Sequence, residues 1–141
     1  MALQQVGQLS LLKSLLGHVL IPPAVAGETQ SLEPFPPYIV RRNLSMPIPP
    51  AVSRAELGLG ETEAIALASQ LHCGLLMDDR RARHVAAFLG LPVMGTVGLI
   101  LAAKQLGLLG SVRPVLLSRQ DHGFRLSPRL MKRVLEETAE A

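Results

Sequence analysis

Residues 58–96 read GLGETEAIALASQLHCGLLMDDRRARHVAAFLGLPVMGT, and this stretch decides the fold of the chain. It predicts a helix with acidic residues in its first turn, a short apolar strand, a basic helix and a second strand. Asp78 and Asp79 follow the predicted strand 74–77 at its carboxyl end, where ligands collect in an open parallel sheet. Glu61 opens the preceding helix. If Glu61 approaches the two aspartates, their carboxylates form a cluster of hard oxygen ligands suited to Mg²⁺ or Mn²⁺.

The composition of the 141-residue chain indicates one folded domain, because 48% of the residues are hydrophobic and only 18% are charged. Cys73 is the single cysteine, which excludes a disulfide framework and a cysteine-based zinc site and makes a cytoplasmic location the expectation. The net charge of +3 favours a polyanionic partner only weakly, since such a balance is more often that of a solvated surface.

Two apolar stretches need to be tested as membrane segments. The N-terminal stretch carries Lys13 inside its apolar part and no basic residue before it, unlike a signal peptide. Residues 85–103 carry no charge over a length that could span a bilayer, but three glycines and a proline interrupt them. We therefore expect a helix end, a buried strand and the next helix at 85–103, and no contact with a membrane.

The rest of the chain alternates helical and strand patterns, which predicts a parallel sheet covered on both faces and a single domain over 1–141. The proline-rich segment 30–53 is expected to be irregular apart from an edge strand, and 58–96 is the core segment that carries the site. The predicted helices are 3–16, a short one from Ala24, 62–72, 80–89, 97–106 and 127–139, and the predicted strands are 18–21, 38–42, 74–77 and 92–95. The last helix begins with Ser127 and Pro128, an N-cap residue followed by a proline in the first turn.

Carboxylates are the strongest lead to chemistry. The four histidines are scattered, no Gly-x-Ser-x-Gly elbow occurs, and Gly58-Leu59-Gly60 lacks the lysine of a phosphate-binding loop. Divalent metals held by Asp and Glu both activate water and neutralise a scissile phosphate. The structural alternative is that Glu61 and Glu63 only favour the helix start, and that Asp78 caps the next helix.

Arginines adjoin the predicted acidic cluster. Arg80, Arg81 and Arg83 directly follow the aspartates and could contact backbone phosphates of a nucleic acid. They could equally form a solvated helix face that pairs with Asp78 or Glu61. Because aromatic residues are only 3% of the chain, a base-stacking platform is not expected, and recognition of RNA would depend on shape and backbone contacts.

Several motifs resemble those of the PIN-domain proteins, and most of all the predicted nucleic-acid-binding branch related to VapC-type toxins. They are IPPAV at 21–25 with Glu28, GETEAIALA at 60–68, DDR at 78–80 and GTVG at 95–98. The resemblance covers nearly the whole chain. It implies a three-layer α/β/α sandwich around a short parallel sheet, RNA cleavage dependent on Mg²⁺ or Mn²⁺, a cognate antitoxin as partner, and a homodimer.

The resemblance also assigns the acidic residues. Glu28 matches the acid after the second strand, Glu61 the acid at the start of the helix before the fourth strand, and Asp79 the acid after that strand, with Asp78 as a neighbour that could join the metal site. Family members usually open with a short strand ending in Asp. The given sequence starts with Met1-Ala2-Leu3, where the first predicted helix begins, so the first strand and its ligand are expected to be missing from it. Either the true start lies upstream, or the sheet is rearranged or completed by a partner. For the sequence as given we expect weak metal binding and poor nuclease activity.

The leading interpretation is therefore a metal-dependent endoribonuclease of the PIN and toxin type, weakened by the missing strand. In this interpretation Glu28, Glu61 and Asp79 form the catalytic set, and Arg80 and Arg81 contact the substrate.

Two other functions are kept open. The first is a non-catalytic PIN-like module that serves dimerisation or binding of a partner. The second is a phospho-acceptor receiver domain, suggested by paired aspartates at a strand end. A receiver needs a separate acceptor on a later strand, and Asp121, the only other aspartate, is expected in a late polar loop.

Overall fold

The structure is a computed structural model that describes residues 10–30, 34–121 and 127–140. The chain divides into two compact units, His18–Gly95 and Met1–Gly17 with Thr96–Ala141, and each is described by itself. The single domain over 1–141 stays a prediction.

The elements alternate as the sequence pattern predicts. In chain order they are α1 (Ser10–Leu16), β1 (Val19–Ile21), α2 (Pro23–Glu28), β2 (Ile39–Arg41), α3 (Pro50–Ser53), α4 (Leu59–Leu71), β3 (Leu75–Leu76), α5 (Arg80–Phe88), β4 (Val93–Met94), α6 (Thr96–Gln105), α7 (Arg113–Asp121) and α8 (Pro128–Glu137).

The strands of the unit 18–95 pair in parallel, which confirms the small α/β class. Val19 lies opposite Ile39 in the pair β1–β2, and Leu75 lies opposite Val93 in the pair β3–β4. Each pair is bridged by a helix, α2 or α5, as parallel neighbours require. Within the described residues the four strands form two separate two-stranded sheets, where one sheet was expected.

Helix α4 is the centre of the unit 18–95 and packs against α2, α3 and α5. Its buried face meets the small residues of α5, which let the two helices approach closely. The core side chains are Val52, Ile65, Ala68, Leu75, Ala82 and Ala86. The helix begins at Leu59, three residues before the predicted start, because Gly58 rather than a later residue is its N-cap. It ends where His72 adopts a left-handed conformation with φ of 51°.

Two short features depart from the sequence prediction in this unit. A four-residue helix, α3, follows Pro49 within the proline-rich segment, and Pro50 occupies its first position, where proline is tolerated. Asp79, not Asp78, caps α5: its Oδ1 accepts a hydrogen bond from the backbone N–H of Ala82 at 2.8 Å. The structural alternative placed this cap on Asp78, because only the backbone geometry distinguishes the two adjacent aspartates.

The second unit is helical in its described part. Leu11 and Leu12 of α1 are buried, as are Leu99 and Ile100 of α6. Helix α8 starts with the predicted Ser127 cap, whose hydroxyl accepts from the N–H of Leu130 at 3.1 Å. The first part of the predicted helix 3–16 lies outside the described residues.

Helix α7 was not predicted. Asp121 is its last residue, so the expectation of a late polar loop at this position is wrong. The stretch 85–103 contains the end of α5, then β4 and most of α6, as the glycines and the proline predict. In the described part of the chain, no helix has both the length and the apolar character needed to cross a bilayer.

Candidate functional site

The first turn of α4 brings together two of the predicted acidic residues. Glu28 ends α2, and its carboxylate lies over Gly60: a Cβ placed on this buried glycine would meet both carboxylate oxygens at 2.6 Å. The carboxylate of Glu61 folds back over Gly58, the N-cap of the same helix. Both negative charges therefore lie beside the positive end of the α4 dipole, where an anion is favoured.

The antiparallel packing of α2 on α4 explains this convergence. Glu63, one half-turn beyond Glu61, accepts a hydrogen bond from the backbone N–H of Ala24 through Oε1 at 2.8 Å. This contact holds the start of α2 near Glu63, so the end of α2 and its Glu28 lie near Gly60. Glu63 is part of the interface between the two helices and not only a favourable first-turn residue.

The two aspartates point to different partners. Asp79 uses Oδ1 to cap α5. Oδ1 of Asp78 and Nη1 of Arg83 both face Gly95, at 3.1 Å and 3.2 Å from the position that a Cβ on this glycine would take. The Asp78 carboxylate and the Arg83 guanidinium thus both lie next to Gly95, and a larger residue at this position would displace them.

An open groove lies along one face of α5, with a volume of about 540 Å³. The helix contributes residues at the spacing i, i+3, i+4 and i+7, and the chain on either side of the helix completes the lining. The lining residues are Asp78, Arg80, Arg83, His84, Ala87, Leu91 and Val93. Of the predicted pair Arg80 and Arg81, only Arg80 lines the groove. Nη2 of Arg81 instead donates a hydrogen bond to the carbonyl of Ala55 at 2.5 Å.

A comparison with protein families decides the identity of the fold. A family model described as a PIN domain matches residues 1–140.

This chain belongs to the PIN-domain family.

No curated protein and no solved structure matches it. Belonging to this family suggests a nuclease-like or nucleic-acid-related function in general terms.

The resemblance stated above implies a divalent metal for this PIN domain, and the carboxylates can be tested for it. Over residues 10–30, 34–121 and 127–140, no group of three or more His, Cys, Asp or Glu side chains is arranged to hold a metal ion. Asp79 directs an oxygen to a backbone N–H, and Glu28 and Glu61 cover the first turn of α4. In this arrangement no three of these described carboxylates converge on one metal position. The assignment of Glu28, Glu61, Asp78 and Asp79 as ligands stays a prediction.

Apart from Asp78, Arg80 and Arg83, the groove residues were not singled out from the sequence. His84 and Ala87 share their helix face, and this face is recognisable as the 80, 83, 84, 87 periodicity of α5. Leu91 and Val93 carry no such signal, because their place in the groove depends on the return of the chain into β4.

Proposed function

We propose that this PIN-domain protein binds RNA by holding a backbone phosphate on the exposed face of α5. The observation that carries the proposal is that Arg80 and Arg83 share one helix face with His84 and open into the same groove. A guanidinium presents its N–H groups in a planar fork that matches phosphate oxygens, which is why arginine suits this contact. Such contacts fix the position of an RNA without reading its sequence.

The charge of the groove supports an anionic ligand. Two guanidinium groups face one carboxylate, that of Asp78, so the charged side chains leave a positive excess of one. Phosphate contacts of this kind are sensitive to salt.

The direct test is the binding of a fluorescein-labelled single-stranded RNA of about 20 nucleotides, followed by fluorescence anisotropy at low salt. We expect Arg83→Gln to weaken binding about fivefold, since an exposed charge-assisted hydrogen bond contributes roughly 1 kcal/mol. Arg54→Gln removes the same charge from an exposed arginine of the same unit outside the groove and is the control. Equal weakening by both variants would show a general charge effect and overturn the proposal.

RNA cleavage dependent on Mg²⁺ or Mn²⁺ is a second candidate function. The observation that favours it is that the carboxylates of Glu28 and Glu61 lie over Gly60 and Gly58, two residues apart at the start of α4. The toxin role, a cognate antitoxin and a homodimer belong to this candidate and follow from the family resemblance.

Two measurements test the second candidate function: the melting temperature of the protein with and without MnCl₂, and a gel assay of RNA cleavage. Cleavage in MnCl₂ and a rise in melting temperature, both lost in Glu61→Gln and kept in Glu56→Gln, would establish it. An unchanged melting temperature and intact RNA would exclude it for this chain, because a ligand that binds the folded state must stabilise that state.

A further inference from the structure

We infer that the groove on α5 binds a nucleoside 5′-phosphate, with one phosphate on Arg80 and Arg83 and the base against Ala87, Leu91 and Val93. The inference rests on the proposed function, because it specifies which part of an RNA the groove takes. The same chemistry has two sources: a free mononucleotide, or the 3′-terminal nucleotide of a strand.

The groove has a charged end and an apolar end. Arg80 and Arg83 lie in the first turn of α5. Nη1 of Arg83 lies next to Gly95, as does Oδ1 of Asp78. Ala87 lies seven residues beyond Arg80, about 10 Å further along the helix axis. The chain returns at that end, where the N–H of Leu91 donates to the carbonyl of Ala86 at 3.0 Å. A ligand that fills the groove must therefore be anionic at one end only.

The distribution of charge limits the ligand to one phosphate. The carboxylate of Asp78 lies at the basic end and opposes the approach of a second negative group. The apolar end, with Ala87, Leu91 and Val93, offers no cation to another phosphate. An internal nucleotide carries a phosphate on each side of its sugar, whereas a nucleoside 5′-phosphate at a 3′ end carries one. The terminal or free form is the one that matches.

The dimensions agree with a ligand of this size. A volume of about 540 Å³ lies within the range of roughly 300–1,000 Å³ that is usual for small-molecule sites. The side chains of Leu91 and Val93 are half-buried and present apolar surface, while the small side chain of exposed Ala87 leaves room above it for a flat ring. His84 lies between the two ends and supplies a polar ring nitrogen at the level of the sugar.

Isothermal titration calorimetry with the full chain tests the two ends of the groove separately. Adenosine 5′-monophosphate is expected to bind, and adenosine, which lacks the phosphate, and ribose 5-phosphate, which lacks the base, are each expected to bind at least about tenfold more weakly. Ala87→Glu places a negative charge at the apolar end and is expected to abolish binding. Phe88→Glu is the matched control, because Phe88 is 81% exposed on the same helix and does not line the groove.

Equal binding of adenosine 5′-monophosphate by the wild type and Ala87→Glu, or no binding by the wild type, overturns the inference. Two linear RNAs of one sequence, one ending in a 3′-hydroxyl and one in a 3′-phosphate, then separate the two sources. Tighter binding of the RNA with the 3′-hydroxyl assigns the groove to a 3′-terminal nucleotide, whereas equal binding of both RNAs together with binding of adenosine 5′-monophosphate assigns it to the free nucleotide. RNA binding that is lost in Arg83→Gln, without any binding of adenosine 5′-monophosphate, refutes the inference and leaves the proposed function standing.

Discussion

Oε1 of Glu63 accepts a hydrogen bond from the backbone N–H of Ala24 at 2.8 Å, so a side chain of α4 caps the start of α2 across 39 residues of sequence. The N-cap residue of α2 is Pro22, which makes no side-chain cap hydrogen bond, and the partner of this N–H therefore comes from another helix.

We predict that Glu63→Ala lowers the free energy of unfolding by about 1 kcal/mol, the usual effect of removing a helix cap. Glu63→Gln keeps an acceptor oxygen and should lose less. Urea denaturation of the two variants measures both effects. Wild-type stability in Glu63→Ala would show that the contact with Ala24 contributes nothing.

Glu28 and Gly60 are predicted to be energetically coupled. The three atoms nearest to a Cβ on Gly60 all belong to the Glu28 carboxyl group, so Gly60→Ala must displace it. In a Glu28→Ala background this carboxyl group is no longer there to be displaced, so the higher helix propensity of alanine, up to about 1 kcal/mol, offsets more of the cost of the substitution. A double-mutant cycle in urea should give a coupling of about 0.5–1 kcal/mol.

Gly27→Ala is the control for this cycle, because its new methyl group would meet no atom within 4 Å. It should change the stability equally in both Glu28 backgrounds. Strict additivity of Gly60→Ala and Glu28→Ala would contradict the close packing of these two residues.

Gln70 attaches the proline-rich segment to α4. Its Oε1 accepts from the backbone N–H of Ser45 at 2.9 Å, and its Nε2 donates to the carbonyl of Met46 at 2.9 Å. Gln70→Ala should remove the hydrogen-exchange protection of the Ser45 amide, whereas Gln70→Glu, which keeps the acceptor and loses only the donor, should retain most of it. Equal protection of this amide in wild type and Gln70→Ala would refute the attachment.

Glu140 makes the stability of the second unit, Met1–Gly17 with Thr96–Ala141, dependent on pH. The pKa of its carboxyl group is lowered from 4.5 to about 2, chiefly because the Ser111 hydroxyl donates to it, with a further contribution from the backbone N–H of Val112. Since the pKa is lower in the folded state than in the unfolded state, this contribution to stability is complete above about pH 4.5 and is lost as the pH falls towards about 2.

The matching experiment compares the unfolding free energy of the wild type and Glu140→Gln from about pH 6 to about pH 2.5. The wild type should be the more stable at the upper end, and the difference should shrink through the acidic range. A difference that stays constant with pH would show that the ionised carboxylate of Glu140 is not what stabilises this unit.

Local patterns were sufficient to predict most of the fold. The apolar strand before Asp78 and the Ser127 cap before α8 are signals contained within a few residues, and both are confirmed. The three arginines that follow the aspartates also suggested contacts with backbone phosphates, although only the structure separates Arg83 from Arg81.

Contacts between distant residues were beyond the reach of the sequence. The bonds from Glu63 to Ala24 and from Gln70 to Ser45 join side chains to backbone groups 39 and 25 residues away, and no spacing rule predicts them. The four-residue helix at Pro50 is too short to show periodicity. The sequence left open whether Glu61 comes near the two aspartates at the strand end, and it did not show that Oδ1 of Asp79 is directed to the first turn of its own helix.

The central claim, that Arg80 and Arg83 hold an RNA phosphate, is tested most directly by the salt dependence of RNA binding. For a single strand, the slope of log Kobs against log salt changes by about 0.7 for each phosphate contact. The double variant Arg80→Gln/Arg83→Gln should lower this slope by about 0.7 relative to Arg42→Gln/Arg54→Gln, which removes two exposed arginines outside the groove. Identical slopes and affinities in the two double variants would contradict the account.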